Sequence, residues 1–294
     1  MRTVPTTPAS HQGTMHPCLP GPAVVLGRLA HLLSACDLTW PELAVRSGLT
    51  LDQLAPLRDG QCVPSHTQLA ALLTAVGAGA ELEALQSLAR MDAGTVTDRM
   101  PGWAVRLAGA LNSATGWRAG GGSVIPLGLR TTDHHAHWIS TVLPAVPDAE
   151  RPALDALATT VATSAGRHRA YLDLAILHRP TGGPATAAAQ LAHLVALVHS
   201  KEVDLRLVEG PATGTPLIEI TTTAGGLLVV DVTADGARYR TGDAAATHVL
   251  ALDTLAYRAS CAQATLSQLG TAATWMHVRT APRRVRAHRP GGHR

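Results

Sequence analysis

LTWPELAVRSGLTLDQLAPLRDG, residues 38–60, is the stretch whose reading decides the fold of the N-terminal part of this chain. Thr39 is placed to cap a short helix over 40–47, with Pro41 in its first turn, where a missing N–H costs nothing. Gly48 supplies the tight turn that follows. Thr50 then caps a second short helix over 51–57, which Asp59-Gly60 closes. Ala44 is small enough for two helices to approach closely, and Leu43, Leu54 and Leu57 are spaced to lock the angle between them.

Working outward, Leu26, Leu29, Leu32 and Leu33 recur at helical spacing before this stretch. After it, Ser65 caps a helix carrying Leu69, Leu72, Leu73 and Val76, and Leu82, Leu85 and Leu88 mark a further helix over 81–90. Five short helices joined by short turns predict an all-α bundle over 22–91. Residues 1–21, rich in Thr, Pro, Ser and Gly, are expected to be a disordered leader, and 92–102 a linker.

Residues 103–270 read as an α+β domain with an antiparallel sheet, making the whole chain mainly α. Helices are expected over 103–114, 133–142, 148–164 and 185–199, and a long closing helix over 244–269. Strands are expected over 203–208, 217–222, 227–232 and 237–239. Residues 171–177 are a buried strand or a short helix, and the glycine-rich 116–122 a flexible loop. The basic stretch 271–294 is expected to be a disordered tail.

Composition narrows the classes. Hydrophobic residues make up 46% of the 294, enough for a sizeable core, yet there is no Phe, so the core must be aliphatic. The net charge of +3 is a property of the C-terminal end: 277–294 holds six Arg and no acid. The bundle, with four Arg and six acids over 24–90, is acidic. Cys18, Cys36, Cys62 and Cys261 form no CxxC pair, so neither a disulfide framework nor a zinc site is expected, and a reducing cytoplasm suits them. No signal peptide, no membrane-spanning run and no catalytic motif stand out, and no cofactor is expected.

Residues 38–60 with their flanking helices resemble the helix-turn-helix of XRE-type (phage Cro/cI-like) regulators. The resemblance implies that the helix after Gly48 enters the major groove of double-stranded DNA, with Thr50, Gln53 and Arg58 as contacts and Arg28 and Arg46 on phosphates. Only Gln53 among its outward residues is a good partner for a base edge, Asp52 opposes phosphate, and Pro56 is expected to fray or kink the last turn. Residues 103–270 resemble the C-terminal domain of actinobacterial XRE-type regulators of the Scr1 family, antitoxin-like transcription factors. HRPTGGPATAAAQLAHLVAL, 178–197, and IPLGLRTTDHHAHWI, 125–139, carry that likeness. His134, Arg130 and Leu174 depart from the usual Tyr, Gln and Glu. The likeness implies a transcriptional regulator, expected to be a homodimer, whose C-terminal domain answers a ligand or a small acidic partner protein, or forms the dimer.

Two other functions are read beside it. A repurposed scaffold would hold a small molecule in a pocket lined by Arg130, His134 and Trp138, without reading DNA. A protein-interaction module would bind the small acidic partner alone. The HHxH run at His134, His135 and His137 has helical spacing for a metal, but such pairs arise by chance among 15 His, and Asp133 beside it reads as a helix cap. Arg167, His168 and Arg169 form a basic cluster that reads as a solvated face.

Overall fold

A computed structural model describes residues 19–120, 124–159, 168–210, 217–223 and 225–280. The expected leader over 1–18, the tail over 281–294, and Cys18, Gly121, Gly122 and Arg167 lie outside them.

The first helix, α1 (Pro20–Ala35), starts inside the segment assigned to the leader. α2 (Trp40–Ser47), α3 (Leu51–Arg58), α4 (His66–Ala75) and α5 (Leu82–Ala89) follow, so all five helices of the bundle are present. Next come β1 (Thr95–Asp98), α6 (Trp103–Asn112), β2 (Gly116–Gly120), α7 (Thr132–Val142), α8 (Arg151–Thr159) and β3 (His168–Asp173). The chain closes with α9 (Pro184–Ser200), β4 (Asp204–Val208), β5 (Leu217–Thr221), β6 (Leu227–Thr233), β7 (Gly236–Arg240), α10 (Asp243–Arg258) and α11 (Ala262–Thr280).

One seven-stranded sheet, in the order β1-β7-β6-β5-β2-β3-β4, organises the C-terminal part. It is mixed, which corrects the expected antiparallel sheet: β2, β3 and β4 run parallel, and the other pairings are antiparallel. Parallel neighbours need long crossovers, and α7 with α8, then α9, provide them. Alternate residues of each strand face opposite layers. Ala119, Ala170, Leu172, Leu205, Ile218, Ile220 and Val230 join the main core, while Tyr171, Val208, Leu217 and Val229 pack toward α10.

The glycine-rich stretch expected to be a loop holds β2, a central strand. Glycine is needed there because a Cβ on Gly120 would lie 2.9 Å from the Leu255 side chain of α10. The single closing helix is two. Between them Ser260 N–H donates to Leu207 O at 2.8 Å, and Leu207 N–H to Thr265 Oγ1 at 3.2 Å, so the break satisfies the free edge of β4. Residues 271–280 continue α11 rather than beginning a tail, with Ala272 and Met276 buried.

The expected linker is structural too. β1 pairs antiparallel with β7, and Asp98 is fully buried against Arg106 of α6 at 2.7 and 2.8 Å. Arg106 donates further to Met100 O and Pro101 O. Buried Glu150 accepts from Gly102 N–H and Ala104 N–H, completing the first turn of α6.

The bundle and the sheet domain share one core. Val24, Val25 and Leu29 of α1 pack with Leu69, Leu73, Leu85 and Leu88 and, in the same cluster, with Trp103, Leu107 and Ala110. α1 lies against α6 at glycine distance: a Cβ on Gly27 would stand 2.8 Å from Ala110 Cα, and one on Gly109 2.8 Å from Arg28 Cα. Helix propensity alone favours alanine over glycine by about 1 kcal/mol inside a helix. Because the obstacle here is backbone, Gly27→Ala and Gly109→Ala are expected to destabilise the protein by about 1–3 kcal/mol. Gly79→Ala, where a Cβ meets nothing within 4 Å, should lie within about 0.5 kcal/mol of wild type. Chemical denaturation of the three variants checks this.

Candidate nucleic-acid interface

The α2–α3 unit, expected to be a helix-turn-helix, is built from two reciprocal caps. Thr39 Oγ1 accepts from Glu42 N–H, and Glu42 accepts from Thr39 N–H at 2.8 Å. Thr50 Oγ1 accepts from Gln53 N–H, and Gln53 Oε1 from Thr50 N–H at 2.9 Å. Between the helices Gly48 adopts φ +69°, a conformation that strains other residues. Leu43, Leu54 and Leu57 are buried with Leu72 and Ala75 of α4 in a small core of their own. Pro56 does not break α3: the helix runs to Arg58, and Asp59 N–H still donates to Ala55 O at 3.1 Å. A proline in an eight-residue helix forfeits one bond to the preceding turn, and burial of Leu54 and Leu57 on either side holds the helix regardless.

The outward face of α3 is open. Leu51, Asp52, Gln53 and Arg58 are exposed, as are Thr50 and, on α2, Arg46. The expected contacts are not equally available. Arg28 is buried and donates through Nε and Nη2 to both oxygens of Glu81, at 2.9 and 2.6 Å, which removes it from phosphate contact and makes it a tie inside the bundle. Thr50 and Gln53 spend their caps on each other, leaving the Gln53 amide NH₂ as the outward donor. Arg58 pairs with Asp59 at 2.7 Å through Nε and lies 5.8 Å from the Trp40 ring centre.

The second expected site is a solid cluster rather than a pocket. Arg130 is 1% exposed; its Nε donates to Ile125 O at 2.6 Å, Nη1 lies 3.3 Å from His135 Nδ1, and the guanidinium stacks 3.7 Å from the Trp138 ring centre. Lacking a carboxylate to offset desolvation, its pKa is pulled down to about 9 by burial. His134 and His135 diverge. His135 points its Nε2 toward Asp155 Oδ1 at 3.2 Å, while His134 lines a cleft of about 20 Å³ beside Arg179 and Gln190, room for about one water. A small-molecule pocket among Arg130, His134 and Trp138 is therefore not formed, because the arginine fills it. Thr131, not Asp133, caps α7. Among the described residues no group of three or more His, Cys, Asp or Glu is placed to hold a metal ion.

The remaining basic positions are divided by the pleat: His168 is buried and stacked on Trp117 with ring centres 5.2 Å apart, while Arg169 faces the other side, 3.8 Å from Asp204.

A family profile described as Domain of unknown function (DUF5753) matches residues 106–271, more than half of the chain. The chain belongs to the DUF5753 family. No curated protein and no solved structure matches it. The DUF5753 match opens at Arg106 and closes within α11, so it takes in six of the seven strands and leaves out β1 and the α2–α3 unit. The buried arginine–histidine cluster lies inside the DUF5753 region; the open face of α3 lies outside it.

Burial, then Arg130 and the neighbouring histidines, bring the His134 pKa down to about 4; burial, then Arg130, do the same for His135. Both groups bind a proton more weakly folded than unfolded, so their contribution is whole above about pH 6.5 and is lost as pH falls toward 4. Each is expected to remove on the order of 1–2 kcal/mol over that window. A His134→Gln/His135→Gln variant should show a flatter stability profile there, measured by denaturation at stepped pH.

Proposed function

We propose that this protein is a DNA-binding transcriptional regulator whose α2–α3 unit docks in the major groove. The observation that supports the reading most is that α3 runs unbroken through Pro56 with its outward face open to solvent. Gln53, through its amide NH₂, is the donor offered to a base edge; Thr50 sits beside it at the helix start, and Arg46 and Arg58 are the cations for phosphate. Arg28 has no part in it. The protein would act in the cytoplasm, as a homodimer on a two-fold site. Leu250 and Tyr257, 66% and 93% exposed and seven residues apart on α10, are the apolar residues this surface offers to a subunit contact, with Asp253 and Thr254 between them. No helix among the described residues is long and apolar enough to cross a membrane.

The C-terminal DUF5753 domain would answer a ligand or a small acidic partner protein and pass the response through α1, which both parts share. The scaffold reading, in which a small molecule sits at Arg130, His134 and Trp138, loses its support with the pocket.

Two arginines per protomer is a thin phosphate footing. Binding of the full chain to duplex DNA from its own upstream region is expected to weaken with salt, with Arg46 and Arg58 together contributing about −2 per protomer to the log–log slope. Arg46→Ala and Arg58→Ala should each lessen that slope by about one, and Arg28→Ala should leave it unchanged while lowering stability. Fluorescence anisotropy across 50–200 mM salt, about the range over which such contacts separate, measures all three. Absence of binding at the low end, or slopes indifferent to both exposed arginines, would rule out the regulator.

A further inference from the structure

Beside the small core of α2, α3 and α4, the surface facing the end of α1 is deeply grooved. A cleft of about 260 Å³ opens between the last turns of α1, the α1–α2 connection, Trp40 and Leu43 of α2, and Leu57 and Arg58 of α3. Three other clefts among the described residues hold about 10–20 Å³, room for a water at most. This one is an order of magnitude larger. An engineered cavity of about 150 Å³ takes benzene, so this volume suits a guest of about ten non-hydrogen atoms.

Its chemistry is two-ended. The walls are aliphatic and aromatic: Leu33, Leu38, Leu43 and Leu57, with Trp40. Its one ionised residue is Arg58, exposed and standing at the mouth. The Arg58–Asp59 pair occupies Nε and Nη2, so Nη1 keeps both of its N–H groups for another acceptor. The guanidinium also lies beside the Trp40 ring that forms one wall, which fixes the cation at the end of the apolar slot.

We propose that this cleft is a binding site for a small amphipathic carboxylate, a medium-chain fatty acid or an aryl acid of similar length, its tail among Leu33, Leu38 and Trp40 and its carboxylate on Arg58. An occupant touches α1, α2 and α3 together, and it engages one of the two arginines assigned above to phosphate. Resting on the regulator reading, the site is one through which an organic acid releases the protein from DNA. Neutralising one exposed phosphate contact lowers DNA affinity about fivefold. No covalent step is involved.

The test uses the full chain and octanoate, which has ten non-hydrogen atoms. By isothermal titration octanoate should bind saturably, one per protomer, with a dissociation constant on the order of 0.1 mM, and hexanoate about tenfold more weakly, as two fewer buried methylenes require. Arg58→Gln should weaken octanoate at least several-fold and leave 1-octanol unchanged. Ala30→Phe, which fills the slot from α1, should abolish binding of both. Should Ala30→Phe fail to unfold cooperatively, the octanoate-to-octanol ratio in Arg58→Gln decides alone. Binding that is unsaturable, or equal in wild type, Arg58→Gln and a folded Ala30→Phe, overturns the site. Octanoate binding that is lost in these variants, in a protein that binds no duplex, upholds the site and removes only the regulator. In a protein that binds duplex, octanoate should lower affinity in wild type and have no effect in Ala30→Phe.

Discussion

The architecture depends on the crossing of α1 and α6. Two glycines, Gly27 and Gly109, bring the helix axes close enough that backbone meets backbone, and the side chains around them bury Val24, Val25, Leu107 and Ala110 in one continuous core. Packing at that distance tolerates little displacement, because interiors are dense and a shift of one methylene is felt. The first helix of the bundle is therefore also a component of the sheet domain. The α2–α3 unit has a core of its own, Leu43, Leu54 and Leu57 with Leu72 and Ala75, and is carried on α4.

Helices were legible because each carried its own punctuation. Thr39, Thr50 and Ser65 cap where the spacing predicts, and the leucine stripes lie on buried faces. What escaped the sequence was set by distant partners. GWRAG over 116–120 has the composition of a loop and becomes a central strand because Trp117, Arg118 and Ala119 find β5 on one side and β3 on the other, with Gly120 thinned to admit α10. Thr95–Asp98 looked like a linker because a four-residue strand shows no period, yet β7 and Arg106 hold it. The direction of β3 and β4 could not be read from their residues, since both orientations bury the same aliphatic side chains.

The candidate interface was legible as a scaffold and less so as chemistry. Gly48, Leu43, Leu54 and Leu57 sit where the pattern puts them. Arg28 is turned inward by Glu81, a partner 53 residues away that nothing local in the sequence announces. Arg130, where the resembling regulators carry Gln, suggests a polar pocket wall from the sequence alone. In the fold it is the filling, stacked on Trp138 and bonded to Ile125 O. The cleft beside Trp40 had no sequence signature, since an unfilled volume is a property of how helices cross and not of any residue.

The buried pair of Arg106 with Asp98 bears on how this domain can be excised. Arg106 is the first residue of the family match, and its counter-ion sits eight positions earlier, on a strand outside the match. A fragment cut at that boundary would keep the guanidinium in the interior and discard its neutralising carboxylate, a loss of about 3–5 kcal/mol for a pair so buried. It would also strip β1 from β7 and leave a bare hydrogen-bonding edge for other chains to join. The smallest piece that can fold cleanly thus begins upstream of the matched region, at or before Thr95, and the crossing with α1 argues for keeping the first helix as well.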